Sequence, residues 1–168
     1  MVYELAKQTG SKPRPIAKDT VYYDMVINDR RVIGVRAKGP GGTVGRLGDA
    51  LEKLLDIYPG TKLIVTVDAA LKLEGEETGS IAEGVGVAMG GPGTDRYVIE
   101  TIASRRKIPI YAIIVKMSER EAVSEMNKKV RESVEKAVGR FKRLLNERTK
   151  AYESVILVGV GNTIGVNS

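Results

Sequence analysis

Apolar residues change period several times along the chain, and each change marks an element. The runs VYYDMVI (21–27) and RVIGVRA (31–37) are rich in β-branched and aromatic residues, which predicts two strands. Asn28-Asp29 between them predicts a hairpin turn. Val44, Leu47, Leu51, Leu54 and Leu55 then recur at helical spacing, and Pro59-Gly60 ends that helix near Tyr58. KLIVTVD (62–68) and IPIYAIIVK (108–116) are short continuous apolar runs of the kind buried on both faces of a parallel sheet. TDRYVIETIASRRK (94–107) reads as a helix between them.

Ser118 and Glu121 form a capping-box pattern that opens a long helix of about thirty residues. Its apolar stripe runs through Val123, Met126, Val130, Val134, Ala137, Phe141 and Leu144. SVILVGVGNTIGV (154–166) is a last buried strand running into a second glycine turn. Strands alternating with helices predict an α/β fold: a mostly parallel sheet of about four to five strands with helices on both faces, Rossmann-like and three-layered. Residues 1–20 are polar, with Pro13 and Pro15 among basic residues, and are expected to be an arm or linker before a single domain spanning 21–168.

Composition removes whole classes of chemistry. The chain has no cysteine and no histidine. Within it there can be no disulfide, no thiolate or imidazole metal site, and no histidine base or triad. A metal ion here must be a hard cation on oxygen ligands, such as magnesium or calcium. Absence of Cys and Trp, with abundant Glu, Lys, Arg, Val and Ile, leans towards a thermophilic source. No run approaches a membrane span and the start lacks a secretory apolar core, so a cytoplasmic protein without membrane contact is expected. The net charge is +6. Residues 119–150 hold ten Lys/Arg and six Glu, so most of the excess lies on the long helix in mixed signs, as on a solvated face.

In an open parallel sheet, ligands bind beyond the carboxyl ends of the strands. The first such loop, AKGPGGTVGR, is the nearest thing to a phosphate cradle: glycines allow backbone N–H groups to approach an anion, and a helix start follows. It is neither a Walker motif nor G-x-G-x-x-G, since Val44 stands where the third glycine would fall. Lys38, Gly39, Gly41, Gly42, Thr43 and Arg46 are its candidate ligand contacts; a tight strand-to-helix turn needs the same glycines. The second loop opens with Asp68, then Glu74 and Glu76, a carboxylate set able to hold magnesium beside phosphate, or simply to face water. Lys116, which ends the run 108–116, and Asn162, in the glycine turn of the last strand, are further polar contacts, with snorkelling and turn formation as their ordinary alternatives.

The phrases DAALKLEGEETGSIAEGVGVAMGGPG, IPIYAIIVKMSEREAVSEM, VGVGNTIGV and KGPGGTVGR resemble an archaeal family catalogued as domain of unknown function 1512. The resemblance covers residues 30 to 168 and marks the chain as a carboxy-terminal portion or a short member. It implies an archaeal source and no activity, so no residue role carries over. The residues themselves point first to a domain binding a phosphate-bearing small molecule or nucleotide, with magnesium as a possible companion. If such a domain is an enzyme, hydrolysis or transfer at phosphate by positioning and electrostatics suits a chain without His or Cys. Two other classes stand beside it: a homo-oligomeric assembly module using the long helix and second loop, and nucleic-acid binding through the basic helix.

Overall fold

The computed structural model describes residues 1–38, 45–86, 94–122 and 128–160. In chain order the elements are α1 (Val2–Thr9), β1 (Arg14–Ala17), β2 (Thr20–Ile27), β3 (Arg30–Ala37), α2 (Leu47–Ile57), β4 (Thr61–Leu71), β5 (Ile81–Val85), α3 (Thr94–Arg105), β6 (Ile110–Met117), α4 (Glu119–Ala122), α5 (Lys128–Arg148) and β7 (Ser154–Gly159). The expected long helix is seen as α4 and α5, and residues 123–127 between them lie outside the described set.

All seven strands join one sheet, ordered β1-β2-β3-β7-β4-β6-β5. This corrects the expectation of a mostly parallel sheet of four to five strands in a Rossmann-like arrangement. The sheet is mixed: β3–β7, β7–β4 and β4–β6 are parallel, whereas β1–β2, β2–β3 and β5–β6 are antiparallel. Both strands missed from sequence are short. β1 lies among prolines and basic residues with an exposed start, and β5 carries a glycine inside the acidic second loop. Neither shows an apolar run. An alternating strand–helix rhythm signals parallel neighbours only, because a strand that folds straight back has no crossover helix.

The antiparallel side begins at the Asn28-Asp29 turn, which joins β2 to β3 in the register Ile27↔Arg30. Both turn residues have positive φ, 49° and 61°, the geometry of a type I′ hairpin whose twist matches its strands. Residues 1–20 contribute more than a polar arm. Val2, Leu5 and Ala6 are spaced along one face of α1 and buried. They pack with Tyr23, Met25 and Val32 from β2 and β3.

Two apolar clusters cover the two faces of the sheet. On one, α1 and α5 meet Val32, Leu63, Val65, Val155 and Leu157, with Phe141 fully buried among them. On the other, Leu47, Leu51, Leu54 and Leu55 of α2 and Ile99 and Ile102 of α3 meet Ile33, Val35, Ile64, Ile156 and Val158. The alternation along β3, β4 and β7 assigns odd and even positions to opposite layers.

A charged tie fastens the hairpin to the end of α2. Arg31 donates to both Asp24 oxygens at 3.0 and 2.6 Å, stacks over the Tyr58 ring at 4.7 Å, and Tyr58 Oη donates to Asp24 at 3.4 Å. The Arg31 hydrogen bonds hold the Asp24 carboxyl below the ordinary carboxylate range, against the opposing effect of partial burial. A carboxyl depressed by folding stabilises above its unfolded pKa of about 3.9 and loses that contribution as pH falls through the lower folded value. Asp24→Asn should therefore cost about 1 kcal/mol near neutral pH. In urea unfolding, the gap between wild type and variant should close as pH drops from about 5 to about 2; a gap that stays constant contradicts the tie.

Candidate functional site at the carboxyl edge of the sheet

Four parallel strands end at one edge, but at two levels. β3 and β7 are neighbours and stop together, with Arg36 opposite Gly159. β4 pairs with β7 only as far as Val67↔Gly159, a row extended by the Val160 N–H donating to Val67 C=O at 2.9 Å. Beyond it β4 continues with β6 alone, from Asp68↔Ile114 to Leu71↔Met117. Four further residues correspond to a step of about 13 Å. The two glycine-rich segments, after β3 and after β7, thus leave side by side from the lower level. Gly39, Gly41, Gly42 and Thr43 of the first and Asn162 of the second lie outside the described residues.

The neck of the first glycine loop is well defined. Its outgoing end is held by the Lys38 N–H donating to Asp19 C=O at 2.7 Å, and its returning end by the Arg46 N–H donating to Lys18 C=O at 3.5 Å. The clamp is the β1–β2 turn, where Asp19 has φ 51° and the buried Thr20 hydroxyl donates to Lys18 C=O at 2.9 Å. Gly45 fits there only because it lacks a side chain: a Cβ would lie 2.6 Å from Thr20 Oγ1 and 2.9 Å from Asp19 O. Lys18-Asp19-Thr20 was not among the expected site residues, and its only signal was a turn-forming Asp between two short polar stretches.

Lys38 and Arg46 are exposed at this neck. Arg46 is the N-cap of α2, makes no side-chain cap hydrogen bond, and pairs with Asp49 at 2.9 Å on the helix's first turn. The α2 N-terminus therefore presents backbone N–H groups towards the edge without a side-chain cap.

One further residue at this edge escaped the sequence reading. Arg36, the last residue but one of β3, is 5 % exposed. Its Nε and Nη2 donate to Tyr23 Oη at 3.3 and 3.1 Å and its Nη1 donates to Ala37 C=O at 2.9 Å. The guanidinium lies near the rings of Tyr3 and Tyr23, at 5.5 and 5.8 Å. The signal for it was a cation directly after the apolar run Val32–Val35.

The acidic candidates do not gather. Asp68 is not at a strand end but three residues before it, and its Oδ1 accepts the Ala69 N–H at 2.7 Å. Glu76 accepts the Leu73 N–H at 2.7 Å and pairs with Lys116 at 3.5 Å. The Leu73 hydrogen bond, aided by the Lys116 charge, holds the Glu76 carboxyl below its ordinary range. Glu76, in the turn after β4, is thus tied to Lys116 of β6, and Glu74 is exposed. Among the described residues no three Asp or Glu side chains converge to hold a metal ion. Expected capping chemistry is present beside this turn: Glu121 accepts from Ser118 N–H, Ser118 Oγ and Thr78 Oγ1 at 2.8–2.9 Å.

Elsewhere, an open cleft of about 370 Å³ lies at the opposite edge, lined by Leu55, Lys62, Arg106, Lys107 and Ile108 among others. Its cations stand where α2 and α3 end, which the helix dipole accounts for, and Arg106 is paired with Asp56 at 2.5 Å. On α5, Lys128 pairs with Glu132, Arg143 with Glu83 and Glu147, and Arg148 covers Tyr111, which engages three of the eight basic residues of that helix. No helix among the described residues is long and apolar enough to cross a membrane.

The class these features define is an α/β domain with a mixed sheet, a parallel centre and two glycine-rich segments leaving adjacent strands. The chain belongs to the family described as Domain of unknown function (DUF1512) C-terminal, whose model matches residues 1–167. The match includes α1 and β1, beyond the region carrying the motif resemblance. No curated protein matches the chain.

The clamp makes a direct prediction. Gly45→Ala should lower stability by about 1–3 kcal/mol in denaturant unfolding, because the added methyl meets the Asp19–Thr20 backbone and hydroxyl. An unchanged stability, within about 0.5 kcal/mol, would show that the neck is not held in this way.

Proposed function

We propose that the domain binds a phosphate-bearing small molecule or nucleotide at the carboxyl edge of the sheet, where β3 and β7 end. The observation that carries this is the pairing Arg36↔Gly159, which puts the starts of two glycine-rich segments next to each other at one level. The start of α2, without a side-chain cap, borders the same edge, and helix starts favour anions through their free N–H groups and dipole. Lys38 and Arg46 supply cationic donors at the neck, with Gly39, Gly41, Gly42 and Thr43 between them and Asn162 from the segment after β7.

Lys116, engaged with Glu76, has a supporting role at most in this scheme. Magnesium enters with the phosphate rather than on a ready carboxylate cluster, and Asp68, one row beyond the last β4–β7 pair, is the carboxylate it meets. Binding rather than a named reaction is the proposal.

Isothermal titration against ADP, ATP, GTP and inorganic phosphate, with and without magnesium, tests it. At least one phosphate-bearing probe should bind, and the double variant Lys38→Ala/Arg46→Ala should weaken it roughly tenfold or more, since charge-assisted hydrogen bonds contribute about 1.5–3 kcal/mol. Equal affinity in wild type and double variant contradicts the placement.

A further inference from the structure

Arg36 poses a question of charge balance. A buried guanidinium needs a counter-charge, because taking a cation out of water costs several kcal/mol unless it is paired. Among the described residues no carboxylate pairs with it. Its hydrogen-bond and ring partners are a phenol hydroxyl, a backbone carbonyl and two aromatic rings, none of which carries a formal charge. The Met1 amino group close by is a second cation rather than a counter-charge.

The donor count sharpens this. A guanidinium carries five N–H groups. Three are used, by Tyr23 Oη twice and by Ala37 C=O once. Two remain, the number that a bidentate contact with an oxyanion requires. Nε and Nη2 are held by Tyr23, and the use of Ala37 C=O brings the head group back to the strand terminus. That terminus is the row Arg36↔Gly159, the edge of the candidate site. On the opposite side of β3, Ile33 and Val35 face α2, whereas Arg36 shares the layer of Tyr23.

We infer that Arg36 is a preorganised anchor for an oxyanion group of the ligand, phosphate or carboxylate, taken up through its two remaining N–H groups. Tyr23 is a positioning residue that fixes the guanidinium plane. The inference rests on the reading that an anionic ligand occupies this edge, and it adds a contact on the α1 layer to those expected at the start of α2. The ordinary alternative is a structural cation sandwiched by Tyr3 and Tyr23.

Thermal unfolding in inorganic phosphate, in acetate, and in chloride at matched ionic strength separates them. Phosphate or acetate should raise the wild-type midpoint above chloride, by roughly 5–10 °C at a hundredfold excess over its dissociation constant, and the more effective of the two identifies the group. Arg36→Met should abolish that rise and Arg36→Lys should keep part of it. In wild type labelled with ¹⁵N, the Arg36 Nε resonance should move with the effective anion and stay still in chloride. That measurement decides the matter if Arg36→Met does not fold.

Loss of the rise in Arg36→Met with its retention in Lys38→Ala/Arg46→Ala supports this anchor and removes the neck. Loss in the double variant alone, with Arg36→Met still responding, overturns the anchor and leaves the neck standing. No rise for wild type in either anion, or an unmoved Nε resonance, also overturns it.

Discussion

The structure depends on burying β7 on all four sides. This last strand lies between β3 and β4, and its pairing with both closes the sheet. Val155, Ile156, Leu157 and Val158 are all completely buried, alternating between the α1/α5 layer and the α2/α3 layer. Without β7, β3 and β4 would each keep an open edge facing the other. The antiparallel hairpins on one side and the β4–β6–β5 group on the other would then be separate pieces. Closing the sheet awaits the strand furthest along the described residues, so the central pairing is among the least local contacts in the fold.

The same insertion shapes the candidate site. Because β7 stops level with β3 while β4 and β6 run on, the sheet has a step at its carboxyl edge. Both glycine-rich segments begin on the lower side of that step. The β1–β2 turn, belonging to the antiparallel flank, reaches across to clamp the neck of the first segment. The mixed character of the sheet therefore matters for function: a purely parallel sheet would not bring Lys18, Asp19 and Thr20 to that place. Arg36 lies under the same rim, a buried charge whose hydrogen-bond partners are all uncharged.

Much of this was legible in the residues, and the parts that were not share a physical cause. Continuous apolar runs such as VILV of β7 and LIVTV of β4 mark strands covered on both faces, and they were read as such. Asn28-Asp29 was readable because a two-residue turn with positive φ restricts residue choice. β1 and β5 were not, since edge strands need few apolar residues and can carry Pro or Gly. The acidic set Asp68, Glu74 and Glu76 looked like a cluster because its members are close in sequence. In space Glu76 caps its own turn and pairs with Lys116, a partner more than thirty positions away. Arg36 needed the structure, because burial and missing counter-charge are properties of the surroundings rather than of the residue.

The central claim is that the rim shared by β3, β7 and α2 is where an anionic ligand binds, and amide chemical-shift mapping tests it most directly. A ¹⁵N-labelled sample titrated with inorganic phosphate, and then with ADP and magnesium, should show its largest changes at Ala37, Lys38, Arg46, Leu47, Gly48, Gly159 and Val160. Changes concentrated instead on the outer face of α5, or around Lys62 and Lys107 at the opposite edge, would contradict it.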